Sequence, residues 1–206
     1  MNHTAEVSAH VHRDDAGARM GMWLFLFTEL ILFGGMFIVY AVYRFMYGNE
    51  FALAAKELDT LIGTINTLVL LTSSLTMAMS ITAIQKENKT LSMILVGATI
   101  LLALTFMVNK YFEWGAKFSH GIFPSGDELL NKTNGEILYF GLYYVMTGLH
   151  GLHVIIGVVL LSVMMYFIHT DHINKDSFVK LENSGLYWHL VDIIWIFLFP
   201  LFYLIH

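Results

Sequence analysis

Several ionisable residues in this sequence sit where they are costly. Glu29, His150, His153, His189 and Asp192 fall inside long apolar runs, and Lys110 and Glu113 stand at the end of another. An ionisable side chain facing hydrocarbon costs several kcal/mol, so such residues face protein, headgroups or water, and they are functional candidates by default. Their spacing narrows the chemistry. His150 and His153 stand at i and i+3 in Thr147-Gly148-Leu149-His150-Gly151-Leu152-His153-Val154-Ile155-Ile156-Gly157, on one helix face, and Gly157 continues that face at i+4 from His153. His189 and Asp192 repeat the i,i+3 spacing, as do Lys110 and Glu113. Imidazoles and carboxyls so placed can ligate a haem, pass protons, or hydrogen-bond between helices as a buried polar seam.

The elements that position them are membrane helices. The chain has 206 residues, of which 57% are hydrophobic and only 13% charged, against about 25% charged in soluble domains. Apolar runs of about 20 residues are long enough to cross a bilayer. Five spans are predicted, at about 21–43, 60–84, 91–111, 137–168 and 186–205, giving an all-α membrane protein with a polar tail over 1–20 and one membrane domain over 21–206. The tail carries His3, His10 and His12 and reads as a solvated terminus without the order of a signal peptide. The net charge of −5 argues against nucleic acid as a partner. The absence of cysteine excludes disulfides, thiolate zinc sites and iron–sulfur clusters.

Glu29 is the only acid of the first span and reads as a carboxyl bonded to a neighbouring helix. Arg44 to Asp59 reads as a polar loop. In the second span Asn66 and Ser73 are seven apart with Thr67 and Ser74 beside them, a helix-packing surface. The short connection from Gln85 to Thr90 makes the second and third spans antiparallel neighbours. The third span ends in Asn109-Lys110-Tyr111-Phe112-Glu113-Trp114, an interfacial cluster in which Lys110 and Glu113 can pair. Residues 115–136 form the longest connection. The fourth span exceeds one bilayer thickness and must tilt or project. In the fifth, Trp188 and Trp195 suggest interface anchoring beside His189 and Asp192, and Pro200 interrupts the helix ladder. Lysine and arginine number six on the N-terminal side and five on the other, which favours a cytoplasmic N-terminus.

Three chemistries can be weighed on these residues. Two haems need histidines several turns apart, whereas His150 and His153 are less than one turn apart; a single haem between one of them and His189 is geometrically conceivable. A di-iron bundle needs Glu-x-x-His pairs, which no span contains. A small proton-coupled transporter would use Glu29, His150, His153, His189 and Asp192 as a relay, but five spans give no inverted repeat. The residues therefore read as an accessory or scaffold subunit with a buried polar seam, the transporter being the competing class.

The same stretches carry a resemblance. Gly21 to Glu29, Asn66 to Ser74, Glu113-Trp114, Thr147 to Gly157 and Tyr187 to Trp195 occur in the order, and in the spans, of subunit III of haem–copper terminal oxidases, covering most of residues 20–206. The sequence resembles the short five-helix bacterial form. The resemblance implies helices in a V-shaped pair of bundles with phospholipid in the cleft, a cytoplasmic N-terminus and a place in the bacterial inner membrane. It implies an accessory subunit without catalytic, cofactor or metal residues of its own, packed on catalytic subunit I and supporting proton uptake, with haems and copper in the partner subunits. By the same resemblance Glu29, Asn66, His150, His153, His189 and Asp192 form the polar seam, with the histidines holding the last two helices together. Lys110, Glu113 and Trp114 are candidates for a lipid-headgroup or interhelical site. Quinol oxidases and nitric oxide reductases have similar accessory proteins, and the electron donor is chosen by other subunits.

Overall fold

A computed structural model describes residues 14–119, 121–123, 126–175 and 177–205, so the tail histidines His3, His10 and His12 lie outside the described residues. Among the described residues seven helices follow one another: α1 (Asp15–Met46), α2 (Gly48–Ala55), α3 (Thr60–Gln85), α4 (Lys89–Ser119), α5 (Asp127–Leu130), α6 (Asn134–His169) and α7 (Val179–Tyr203). Among the described residues there is no strand. Five helices, α1, α3, α4, α6 and α7, are long and apolar enough to cross a membrane. They correspond to the five predicted spans.

The differences lie at the ends and in one connection. α1 begins at Asp15, where the Asp14 carboxylate accepts the Gly17 N–H at 2.7 Å and caps the orphaned first turn. α4 continues to Ser119, well past the predicted end, because Lys110, Glu113 and Lys117 turn a buried face inward. The expected loop over 44–59 contains α2, whose Phe51, Ala54 and Ala55 are buried at i, i+3 and i+4. α2 packs across α1 and α6. Its Glu50 carboxylate accepts the Gly135 N–H at 2.6 Å, placing a negative charge on the start of α6.

α7 is the axis of the bundle. It packs on α1, α3 and α6, while α3 packs along α4, and α4 on α6. Trp188 and Trp195, expected as interface anchors, are fully buried instead. Their indole N–H groups donate to Ser73 Oγ at 3.1 Å and Thr67 Oγ1 at 3.0 Å, so two rings seven residues apart fasten α7 to α3. Gly157 lets α6 approach closely, since a Cβ there would meet Trp188 ring atoms at 2.7 Å.

The last turn of a helix leaves its carbonyls without partners. In α7 those of Leu201, Phe202 and Tyr203 accept hydroxyls from Tyr40 of α1, Tyr139 of α6 (2.6 Å) and Thr60 of α3 (3.4 Å), respectively. Three other helices therefore complete the end of the central one. By contrast α1 fully buries only Leu26, Phe33 and Tyr40, a narrow seam at seven-residue spacing flanked by the partly buried Met22, Met36, Phe37 and Tyr43, and exposes most of its other apolar residues.

Candidate functional site

The most completely satisfied polar group lies where α4, α6 and α7 meet. Lys110 and Glu113 share a face of α4 and are both buried. Lys110 Nζ donates to Glu113 Oε2 at 3.1 Å, Tyr143 Oη at 3.0 Å and Tyr203 Oη at 2.9 Å, which uses all three ammonium protons. Tyr143 and Tyr203 in turn donate to Glu113 Oε1, each at 2.5 Å. The ammonium also lies 5.0 Å from the centre of the Tyr143 ring and 5.3 Å from that of Trp195, within cation–π range. Lys110 and Glu113 are thus joined in an interhelical node. Trp114 is half-buried and packs edge-on to Tyr144 at 5.4 Å. Tyr143 and Tyr203 escaped the sequence reading, although Tyr143 stands at i−4 and i−7 from Thr147 and His150, on their buried face.

The seam residues are brought to one bundle but not to one site. Glu29 of α1 meets His153 of α6, with Oε2 to Nε2 at 3.0 Å. His153 Nδ1 lies 2.8 Å from the Leu149 carbonyl, so this nitrogen carries a hydrogen. One further proton is shared along the Glu29–His153 contact, and the pair is neutral overall whichever side holds it. This neutrality suits a low-dielectric setting. His189 of α7 meets α3, with Nδ1 to Ser74 Oγ at 2.6 Å. Asn109 of α4 donates to Asn66 Oδ1 of α3 at 2.8 Å. The histidines therefore do not clasp α6 to α7 through each other: His153 reaches α1 and His189 reaches α3.

Three seam residues keep buried polar atoms without a partner among the described residues: Asn66 at Nδ2, His150 and Asp192. The His150 ring is fully buried between Phe106 and Trp195, with ring centres 5.6 and 5.3 Å away, and neither nitrogen has a hydrogen-bond partner among the described residues. Asp192 is buried one turn from His189 and lies beside the same Ser74 hydroxyl, though outside full hydrogen-bonding geometry. The three membrane histidines point to three different neighbours, so no two of them face one another across helices. Among the described residues no three histidine or acidic side chains gather as a metal-binding set.

The charged ends of the bundle are laced by ion pairs. Arg19 meets Glu182 at 2.8 Å and Lys89 meets Asp171 at 2.7 Å at one end; Lys132 meets Glu57 at 2.5 Å at the other. The Glu57 carboxylate bonded to it holds the Lys132 ammonium above the ordinary lysine range. Lys117 Nζ donates to the Glu57 carbonyl at 3.1 Å, which joins α4 to the same cluster.

The buried polar groups join α4 to α6 and α7, α1 to α6 and α3 to α7 within this chain. Comparison with known proteins gives the family. A family model described as "Cytochrome c oxidase subunit III" matches residues 2–206. The cytochrome c oxidase subunit 3 of Thermostichus vulcanus is 30% identical over 203 residues, 98% of this chain and 94% of the relative. The probable quinol oxidase subunit 3 of Staphylococcus saprophyticus is 30% identical over 207 residues, 100% of this chain and 97% of the relative. A heme-copper oxidase subunit I+III of Aeropyrum pernix is 29% identical over 193 residues; these are 91% of this chain but only 22% of that longer protein. With the match running through all five membrane helices, the chain belongs to the cytochrome c oxidase subunit III family.

Proposed function

We propose that this chain is the non-redox accessory subunit of a proton-pumping haem–copper terminal oxidase, of the cytochrome c type, in a bacterial inner membrane. It packs on the catalytic subunit I, steadies it, and supports proton uptake during oxygen reduction. Haems and copper belong to the partner subunits, phospholipid fills the spaces between helices, and the N-terminus faces the cytoplasm with the helices in two splayed bundles. The observation that carries this reading is the family match across the whole membrane domain, and the Aeropyrum pernix relative, a heme-copper oxidase subunit I+III, adds to it. The inward-facing polar groups add support: Lys110, Glu113, Glu29, His153 and His189 are each engaged with a neighbouring helix. A packed neighbour of this kind fixes helices and water access in the subunit beside it. A quinol oxidase is the second reading, favoured by the full-length Staphylococcus relative.

The test is purification of the tagged chain from its own membranes in mild detergent, with a reduced-minus-oxidised spectrum and metal analysis of the eluate. Haem and copper co-eluting with a catalytic subunit is the expected result, and assay with cytochrome c against quinol then selects between the two readings. Haem b with non-haem iron and no copper would move the chain to a nitric oxide reductase. A colourless chain, alone and intact, would overturn the subunit reading in favour of a transporter.

A further inference from the structure

His189 and Asp192 stand one turn apart on α7, and both meet Ser74 of α3. Ser74 Oγ lies 2.6 Å from His189 Nδ1. The Asp192 carboxyl lies beside the same hydroxyl, outside full hydrogen-bonding geometry. A serine hydroxyl donates one hydrogen and accepts others, and its hydrogen rotates to suit its neighbours. Ser74 can therefore serve the imidazole and the carboxyl in turn, after a small rotation of the Asp192 side chain.

The two ends of this row differ in access. Asp192 is only 2% exposed, and Trp188 and Trp195 on either side of it in α7 are fully buried. His189 is half-buried and stands toward the polar end of α7. Seven residues, about 10 Å of helix, separate it from Glu182, which pairs with Arg19 at that end. Its Nδ1 is held by Ser74, and its Nε2 has no hydrogen-bond partner among the described residues. The ionisable groups of the neighbouring helices are otherwise placed. Glu29 of α1 and His153 of α6 engage each other, Lys110 of α4 is saturated by Glu113 and two tyrosines, and His150 of α6 lies between Phe106 and Trp195.

A lone carboxylate in a low-dielectric interior is costly, so Asp192 rests as the neutral acid. Its proton has a route out through the row. Ser74 passes its own proton to His189 Nδ1 and takes the one from Asp192. The products are an aspartate, an intact serine and an imidazolium, and the net charge of the row is unchanged. The imidazolium then releases a proton from Nε2 to water at the membrane boundary, and the same steps in reverse load the carboxyl again. Beyond Asp192 the row stops, because neither carboxyl oxygen bonds a further group among the described residues. A row with one open end suits a site that takes up and returns a proton on one side, in contrast to a path across the membrane. We infer that Asp192 is a buried proton-binding site, loaded and unloaded from one side of the membrane through Ser74 and His189. The inference goes beyond the subunit reading and does not rest on it.

The test is infrared spectroscopy of the full chain, purified with whatever it binds from its own membranes. Asp192→Asn removes the C=O stretch of the protonated carboxyl and so identifies its band in the native protein. The isotope shift of that band after transfer to heavy water then times the exchange of its proton. The expected result is a shift within the mixing time in the native protein and in Ser74→Thr, which keeps the hydroxyl; Ser74 is itself only half-buried, so the added methyl has room. In Ser74→Ala and in His189→Phe the shift is expected to slow by about a hundredfold or more, the loss that follows removal of a positioned proton-transfer group. A Ser74 with a packing role alone leaves the rate unmoved, so equal rates in the native protein and Ser74→Ala overturn the site. A spectrum from which Asp192→Asn removes no protonated carboxyl overturns it as well. Should Ser74→Ala fail to fold, His189→Phe decides on the same criterion.

Discussion

Lys110 and Glu113 show how a full charge survives inside this bundle: every donor on the ammonium has an acceptor, and the carboxylate receives three donors in return. Removing one partner leaves the other charged and buried. Lys110→Met or Glu113→Gln alone is therefore expected to destabilise the chain by about 3–5 kcal/mol. The double variant loses less than the sum, by about 1 kcal/mol or more for groups in direct contact. Equilibrium unfolding in mixed micelles measures both, and additive losses would show that the pair does not act as a unit. The spacing of Lys110 and Glu113 was legible because i,i+3 residues are neighbours on any helix. Their surroundings were not. Tyr203 lies 90 residues from Glu113, and a single sequence gives a residue's face without the register of the helix opposite. The same limit hid the partners of Glu29 and Asn66. It also misplaced Trp188 and Trp195, since an amphipathic ring suits a membrane interface and a buried hydroxyl equally well.

At the scale of elements, the five apolar runs announced the five membrane helices, because the bilayer demands a length that few soluble helices reach. What the runs concealed was helix beyond the bilayer. The first residues of α1 and the last of α4 are polar where they leave the apolar zone, and α2 is a short helix whose signal was three residues, Phe51, Ala54 and Ala55. The end of α7 makes a prediction of its own. Tyr139→Phe removes the hydroxyl bonded to the Phe202 carbonyl and leaves that carbonyl buried and unpaired. The expected cost is about 1–3 kcal/mol, with faster amide hydrogen exchange confined to the last turns of α7. Exchange that rises equally along all of α7 would mean that Tyr139 acts through packing alone.

At the scale of the molecule, ion pairs on the polar ends tie segments distant in sequence, as Lys132 ties the start of α6 to Glu57 before α3. Because Glu57 raises the Lys132 pKa in the folded state above its ordinary 10.5, this pair stabilises the fold fully below that value. The contribution is lost as pH rises through the higher, folded-state pKa. The melting temperature of the native chain is expected to exceed that of Lys132→Gln by a constant margin from neutral pH up to about pH 10, and the margin to close above it. A margin that persists at higher pH would assign the effect to packing of the lysine stem. The three hydroxyls that complete the end of α7 carry a different consequence, one of timing. Tyr40, Thr60 and Tyr139 all precede α7 in the chain, and a ribosome delivers them to the membrane before the carbonyls they serve, as chains are made from the N-terminus. The socket is thus synthesised ahead of the helix it receives, and the central helix of the bundle, though it arrives late, meets its partners already in place.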